Sequence, residues 1–113
     1  MKKFSLTALA KHHLDDARRA SSGRSASTVF GGHEHVLRQT VIALASGRSL
    51  SEHVNPGEAT VMVLAGRIRL VADEQKWEAR VGDLLVIPPG SSSIHAVEDS
   101  TMLLTVAKSD RVA

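Results

Sequence analysis

The chain of 113 residues has no cysteine and no tyrosine, and each absence removes a class of site. Without thiolates there is no disulfide framework, thiol nucleophile, iron–sulfur cluster or cysteine-based zinc centre. Without a phenol there is no tyrosine to act as a general acid. Aromatic side chains are also scarce, since only Phe4, Phe30 and Trp77 are present. The core must therefore be built from aliphatic residues, which favours many short strands.

Long apolar runs are missing as well. No segment approaches the length of a membrane span. The apolar stretch that follows the basic segment Met1-Lys2-Lys3 is soon interrupted by Lys11, so it does not resemble a signal peptide. We therefore expect a cytoplasmic protein with no membrane partner. The formal net charge of +2 is too small to predict a nucleic-acid partner. The length suits one domain with one core.

The first part of the chain has the pattern of an amphipathic helix over residues 5–20. Ser5 can cap it, and apolar residues recur at helical spacing (Leu6, Leu9, Ala10, His13, Leu14 and Ala17). Residues 1–25 also carry a surplus of four positive charges, which a DNA-binding arm would need. We favour a helix docked on the rest of the protein or on a partner subunit, because Ser21-Ser22-Gly23 ends the pattern before the second helix of a helix-turn-helix motif.

From Thr28 onward the pattern predicts strands. Residues 20–27 are small and polar and indicate a flexible connection. The predicted elements are a strand over 33–45, a hairpin of 58–65 and 67–71 around Gly66, a turn at 73–76 with a strand at Trp77, a buried strand over 83–87, and strands over 95–97 and 101–107. Short strands at regular turn spacing predict an all-β sandwich or barrel.

Two groups of turn residues stand at fixed spacings. In the first, Gly47 is followed at the sixth residue by His53 and further on by Gly66. In the second, Gly82 is followed at the sixth residue by Pro88 and then by Gly90. These positions resemble the two motifs of the cupin superfamily. The resemblance implies a jelly-roll barrel, here with a short N-terminal helix: residues 1–27 helix and connecting arm, 28–108 cupin barrel, 109–113 tail.

The resemblance also assigns the metal-ligand positions of cupins to particular residues. His53 stands at the first histidine position, but Asn55 holds the second and Ala59 holds the glutamate position. In the second motif Ser93 replaces histidine and Val97 replaces asparagine. His95 follows Ser93 by two residues, so in a strand it shares the same face, whereas a loop two residues longer would make His95 itself the ligand.

This donor set is poor for a divalent metal. Three imidazoles and a carboxylate are reduced to His53 and, at best, His95, so we expect no cofactor and at most weak metal binding. We expect instead a small-molecule-binding or sensing module whose pocket rim carries His53, Asn55, Ser93 and His95. The alternative is a metal-dependent cupin enzyme, oxygenase- or isomerase-like, using His53 and His95. Whether the chain is an enzyme stays open.

Two further groups of residues resemble functional motifs, but we interpret both as structural. His33-Glu34-His35 could offer two imidazoles on one strand face, but it lies upstream of the first motif and we interpret it as structural. Ser91-Ser92-Ser93 beside His95 could suggest a nucleophile, but a serine run after Pro-Gly is typical of a polar loop. The strand Leu37–Leu44 has apolar residues at both parities, as expected when both faces are covered, and a homodimer would cover them. A dimeric scaffold for protein–protein contacts is a third functional class.

Overall fold

The computed structural model describes residues 1–54 and 57–108, with the backbone alone for residues 52–54. These residues form one helix and nine strands: α1 (Leu6–Arg19), β1 (Arg24–Phe30), β2 (Leu37–Leu44), β3 (Ser49–Val54), β4 (Gly57–Ala65), β5 (Arg67–Ala72), β6 (Gln75–Arg80), β7 (Leu84–Ile87), β8 (Ser91–Ala96) and β9 (Ser100–Lys108). The predicted tail, 109–113, lies outside the described residues.

The strands form two antiparallel sheets. The larger has the order β1-β2-β9-β4-β7 and the smaller β3-β8-β5-β6. Aliphatic side chains from both sheets form one core, including Leu44, Val61, Ile68, Ile94 and Met102. Because side chains alternate along a strand, the core residues of β2, β4, β5, β8 and β9 stand at every second position. The predicted all-β jelly-roll with a short N-terminal helix is confirmed.

The predicted hairpin around Gly66 is wrong. β4 belongs to the larger sheet and β5 to the smaller one, so the chain crosses between sheets at this residue. Gly66 has φ +78°, and a Cβ there would collide with the carbonyl oxygen of Asp99. Glycine is therefore needed for both the backbone angle and the close approach of the two chain segments.

Several other predicted elements also differ. The connection predicted at 20–27 gives way to β1 from Arg24, an edge strand, and His33-Glu34-His35 lies in the exposed loop between β1 and β2. The strand over 83–87 is buried on one face only: Ile87 of β7 lies in the core, whereas Leu84 and Val86 are exposed at the other edge of the larger sheet. The serine run is not a polar loop, because it begins β8. Each of these predictions was based on local amino-acid composition. Pairing with neighbouring strands overrides that local preference.

Helix α1 docks on the outer face of the larger sheet, as predicted. Ser5 caps it by accepting a hydrogen bond from the Ala8 N–H (3.2 Å). Three members of the predicted stripe, Ala10, His13 and Ala17, are buried, whereas its leucines are only half-buried. Small residues let the helix approach the sheet closely. This helix is too short to cross a membrane, and the described residues contain no longer one.

The helix also explains why β2 has apolar residues on both of its faces. Ile42 and Leu44 face the core between the sheets, while Val41 and Ala43 lie on the opposite face and are fully buried. Helix α1 packs against β2, so the second face is covered within the same chain. The apolar pattern of this strand therefore does not require a partner subunit.

His13 links the helix to β1 through both ring nitrogens. Nδ1 lies 2.7 Å from the Ser25 hydroxyl oxygen and Nε2 lies 2.8 Å from that of Ser27. Burial lowers the pKa of His13 from its ordinary value, nearby His12 lowers it further, and the Asp16 carboxylate opposes both effects. The folded protein therefore favours neutral imidazole at this interface.

We predict that helix docking weakens in mild acid because of His13. The unfolded chain binds the proton more readily, so the stability contributed by neutral His13 is complete above about pH 6.5 and is lost as the pH falls below that value. His13→Gln should reduce the fall in Tm between pH 7.5 and 5, whereas His33→Gln, which changes an exposed loop histidine, should leave the fall unchanged. Equal pH profiles for wild type and His13→Gln would show that another group controls it.

Candidate functional site

The glutamate position of the first motif lies inside the protein. Ala59 is on β4, where its register partners are Ile87 on β7 and Val106 on β9. Its side chain is 7% exposed and belongs to the hydrophobic core, as do both partners. Glu58, one residue earlier, is exposed, so its carboxylate leaves the core as strand alternation requires. A methyl group stands at the position where cupins place a carboxylate ligand.

The serine run at the start of β8 alternates between the two faces of the smaller sheet. Ile94 and Ala96 belong to the core, so Ser92 shares their face and is only 2% exposed. Its hydroxyl oxygen is buried, and the described part of the chain offers it no hydrogen-bond partner. Ser92, and not Ser93, is therefore the serine that faces the interior.

Ser93 and His95 occupy the other face of the same strand. Their side chains contact each other, with Oγ 3.0 Å from Nε2. The register partners of His95 are Ser49 on β3 and Arg69 on β5, whose neighbours Leu50, Ile68 and Leu70 pack in or against the core. The structure thus brings Ser93 and His95 together, but on the outer surface of the sheet and not at the interior position that the resemblance implies.

His53 is placed by its backbone alone. It lies on β3 opposite Ser92 of β8, after an irregularity in the register that follows Leu50. Asn55 lies outside the described residues. Opposite positions of an antiparallel pair are the closest positions on neighbouring strands, so β3 and β8 bring the first-motif histidine position beside Ser92.

The described ligand positions do not fit the metal that the fold family implies. Ala59 has no donor atom, Ser92 offers one neutral hydroxyl, and His95 lies on the far side of the sheet from Ser92. A borderline divalent cation needs several imidazole or carboxylate ligands. No catalytic step through a metal can be derived from such a set.

A different group of metal-binding residue types lies on the helix. His12, His13 and Asp16 place their ligand atoms within 4.8 Å of one another. However, both ring nitrogens of His13 already contact serine hydroxyls, and Arg19 donates to a carboxylate oxygen of Asp16 (2.9 Å). The group is therefore best explained as part of the helix–sheet interface.

A cavity of about 280 Å³ opens at the end of the smaller sheet where β8 begins. Its lining comprises Val71, Asp73, Ser91, Ser92 and Ser93. This volume is near the lower limit of sites that bind small molecules. The lining is hydroxyl-rich and has one carboxylate, which suits hydrogen bonding more than metal binding.

Sequence reasoning missed Ser92 because motif counting ends at Ser93. The period-two alternation of the strand carried the correct signal. Ile94 and Ala96 are the apolar residues of this segment, and stepping back two residues from Ile94 gives Ser92. Interpreting the serine run as a loop removed that argument.

Comparison with known proteins identifies the fold. The cupin domain family matches residues 40–106, more than half of the chain. A conserved protein of unknown function from Streptococcus pyogenes is 24% identical, with a TM-score of 0.75 over 97% of this chain and 90% of that one. A cupin superfamily protein from Desulfitobacterium hafniense is 20% identical, with a TM-score of 0.71 over 76% and 78%.

An enzyme also appears among the similar structures. The salicylate 1,2-dioxygenase of Pseudoaminobacter salicylatoxidans is 17% identical, with a TM-score of 0.75, and this chain spans 33% of its length. Identities this low show the fold alone. No curated protein matches the sequence. The family match, the two facing antiparallel sheets and the spacing of the turn glycines agree, and the chain belongs to the cupin domain family.

Proposed function

We propose that this protein is a small-molecule-binding or sensing cupin module that lacks a metal site of normal affinity. The observation that carries the proposal is the Ser92 hydroxyl, buried on the interior face of β8 with no hydrogen-bond partner among the described residues. An unsatisfied buried hydroxyl costs about 1–3 kcal/mol. A ligand that hydrogen-bonds to Ser92 would recover this free energy on binding.

The surroundings of Ser92 limit the kind of ligand. The cavity beside Ser92 is also lined by Val71, Asp73 and two further serines. A small neutral compound with one hydroxyl or carbonyl group fits this lining better than an anion, because the Asp73 carboxylate would repel a negative charge. His53 and Asn55 belong to the proposed ligand-binding set from the β3 side.

The metal-dependent enzyme is the weaker interpretation. An oxygenase- or isomerase-like mechanism would need His53 and His95 as joint ligands. The register of β8 with β3 and β5 puts His95 on the same face as Arg69, away from the core. Ser93 and His95 would therefore have to contribute metal ligands from the outer surface of the sheet. For this reason we rank the binding module above the metal-dependent enzyme.

Ligand binding should depend on Ser92 and not on Ser93. We predict that a thermal-shift screen of small neutral alcohols, ketones and lactones finds compounds that raise the Tm of the wild type. Ser92→Ala should abolish this rise, because it removes the interior hydroxyl. Ser93→Ala removes the same group from the outer face and serves as the matched control. Compounds that stabilise both variants equally would show that the ligand binds elsewhere.

The metal content of the purified protein should be low. We predict well under one equivalent of manganese, iron, cobalt, nickel, copper or zinc by elemental analysis of protein prepared without a histidine tag. Near-stoichiometric metal that is lost in the His53→Ala/His95→Ala double variant would overturn the proposal. It would also restore the alignment in which His95 is a true ligand.

A gain-of-function variant tests the same proposal in the opposite direction. Ala59→Glu with Ser92→His supplies a carboxylate and an imidazole at two core-facing positions, the second of which is opposite His53 in the register of β3 and β8. This variant should bind zinc or nickel more tightly than the wild type, whereas Ala59→Glu with Ser93→His places its imidazole on the outer face and should not. Equal metal affinity in the two variants would mean that the interior assignment of Ser92 is incorrect.

We further propose a cytoplasmic homodimer, formed through the edge strand β7. Leu84 and Val86 are 60% and 66% exposed there, on the last strand of the larger sheet. Exposed apolar edges favour pairing between chains, most simply around a two-fold axis.

Light scattering during size-exclusion chromatography tests the dimer. We predict twice the monomer mass for the wild type at micromolar concentration, and the monomer mass for Leu84→Lys/Val86→Lys because lysines on an edge strand oppose pairing. Val81→Lys changes an equally exposed valine outside β7 and should remain dimeric. A monomeric wild type would refute the dimer and leave the ligand proposal intact.

A further inference from the structure

Two arginines face each other directly across neighbouring strands of the smaller sheet. Arg67 on β5 is the register partner of Arg80 on β6. Both lie on the outer face, since Ile68 and Ala79, the adjacent residues, are core residues. Directly opposite residues have Cβ atoms about 5 Å apart, and like charges there destabilise the sheet. Such a pair needs an explanation.

The Arg67 guanidinium contains a donor that is shielded from solvent and unsatisfied. Its Nε is buried and has no hydrogen-bond partner within the described residues. Two carboxylates lie near without satisfying it: Glu98 Oε2 is 4.0 Å from Nε, and Glu78 Oε1 is 3.7 Å from Nη1. Glu78 is instead held at 2.9 Å by Arg69, a hydrogen bond that lowers the pKa of Glu78.

Arg80 has a free cationic side chain in the part of the chain that the structure describes. Its backbone N–H donates to Asp83 (2.9 Å), but no acceptor contacts its guanidinium. The local charges are three arginines (Arg67, Arg69 and Arg80) and three carboxylates (Glu78, Glu98 and Asp83). Within the described residues only Arg67 and Arg69 form ion pairs with these carboxylates, so the Arg80 guanidinium lacks a close counterion.

The space between these side chains is concave. A cavity of about 520 Å³ is lined by Gly66, Arg67, Arg80, Val81 and Glu98. An open concavity with two guanidinium groups on adjacent strands has the donors that an oxyanion requires.

We propose that Arg67 and Arg80 form an oxyanion site on the outer face of the smaller sheet, which takes a phosphate or carboxylate group. The anion would accept a hydrogen bond from the unsatisfied Nε of Arg67 and pair with the free guanidinium of Arg80. It would also remove the repulsion between the two cations. This site is separate from the interior position of Ser92 and does not depend on the proposed function.

The chemistry of the site favours phosphate over a simple carboxylate. A dianion neutralises the charge of the pair more completely and offers three acceptor oxygens to donors on two strands. The two sources can be separated by using inorganic phosphate and acetate as probes. Glu98 at the rim would oppose any anion, so we expect millimolar affinity.

The test is a titration of the full chain, followed by backbone NMR shifts and by Tm at constant ionic strength. Phosphate should shift the amides of residues 66–67 and 80–81 and raise the Tm, with acetate acting more weakly. Arg80→Gln should weaken phosphate binding about tenfold or more, because it removes one charged donor without breaking a side-chain contact. Lys76→Gln is the matched control, since Lys76 lies on the same face of β6 opposite Val71.

Three results would overturn the proposal. The first is the absence of phosphate-induced shifts at these amides, and the second is wild-type affinity for phosphate in Arg80→Gln. The third is a loss of binding in Lys76→Gln as large as that in Arg80→Gln, which would indicate general attraction to a cationic surface and no defined site. A stronger response to acetate than to phosphate would keep the site but assign it to a carboxylate group.

Discussion

The alternation of side chains along β8 determines which residues of the smaller sheet face the interior and which face outward. β8 lies between β3 and β5, and its register with both is fixed by pairs such as Leu50–Ile94 and Leu70–Ile94. Ile94 is completely buried between the sheets. Moving the strand by one residue would bring His95 into the core and expose Ile94, so the hydrophobic effect fixes which serine faces inward.

That constraint gives the two faces of the smaller sheet different chemistry. Among the described residues the inner face is aliphatic, with the Ser92 hydroxyl as an unsatisfied polar group. The outer face carries Arg67, Arg69 and Arg80 around Glu78, close to Ser93 and His95. Because a strand gives alternate residues to the two faces, one short segment of sequence serves two unrelated environments. Motif spacing alone does not distinguish them, which is why Ser93 and His95 looked like one site with His53.

The fold could be predicted from the sequence because turn residues determine it. Gly66 and Gly90 adopt positive φ angles that other residues rarely adopt, and such positions stand out in a sequence. The partners of each strand could not be predicted. Gly66 indicated a turn correctly, but a hairpin and a crossover between sheets have the same local pattern. The exposure of β7 and the pairing of β1 likewise depend on the order of strands in the sheet, which is a long-range property.

The helix shows a similar limit. Its cap at Ser5, its extent and the stripe that contains its buried residues are local properties and were predicted well, but which members of the stripe are buried most deeply was not. Leucines suggested a broad apolar stripe, whereas the contact is made by Ala10, Ala17 and His13, with the Thr101 hydroxyl donating to the Ala10 carbonyl (3.2 Å). Close approach of a helix to a sheet favours small residues, and the hydrogen bonds of His13 to two serines of β1 need that close approach.

The residues at the cupin ligand positions also affect the stability of the folded protein. In a metal-free protein, a carboxylate and imidazoles gathered in the interior repel one another or lose hydration, and each unpaired charge costs several kcal/mol. Ala59 removes the carboxylate and adds to the aliphatic core between Ile87 and Val106. Among the described ligand positions, the remaining cost is that of the Ser92 hydroxyl. A barrel of this kind can stay folded while its site is empty, as the proposed binding or sensing role requires, whereas a full ligand set would tie its stability to the metal.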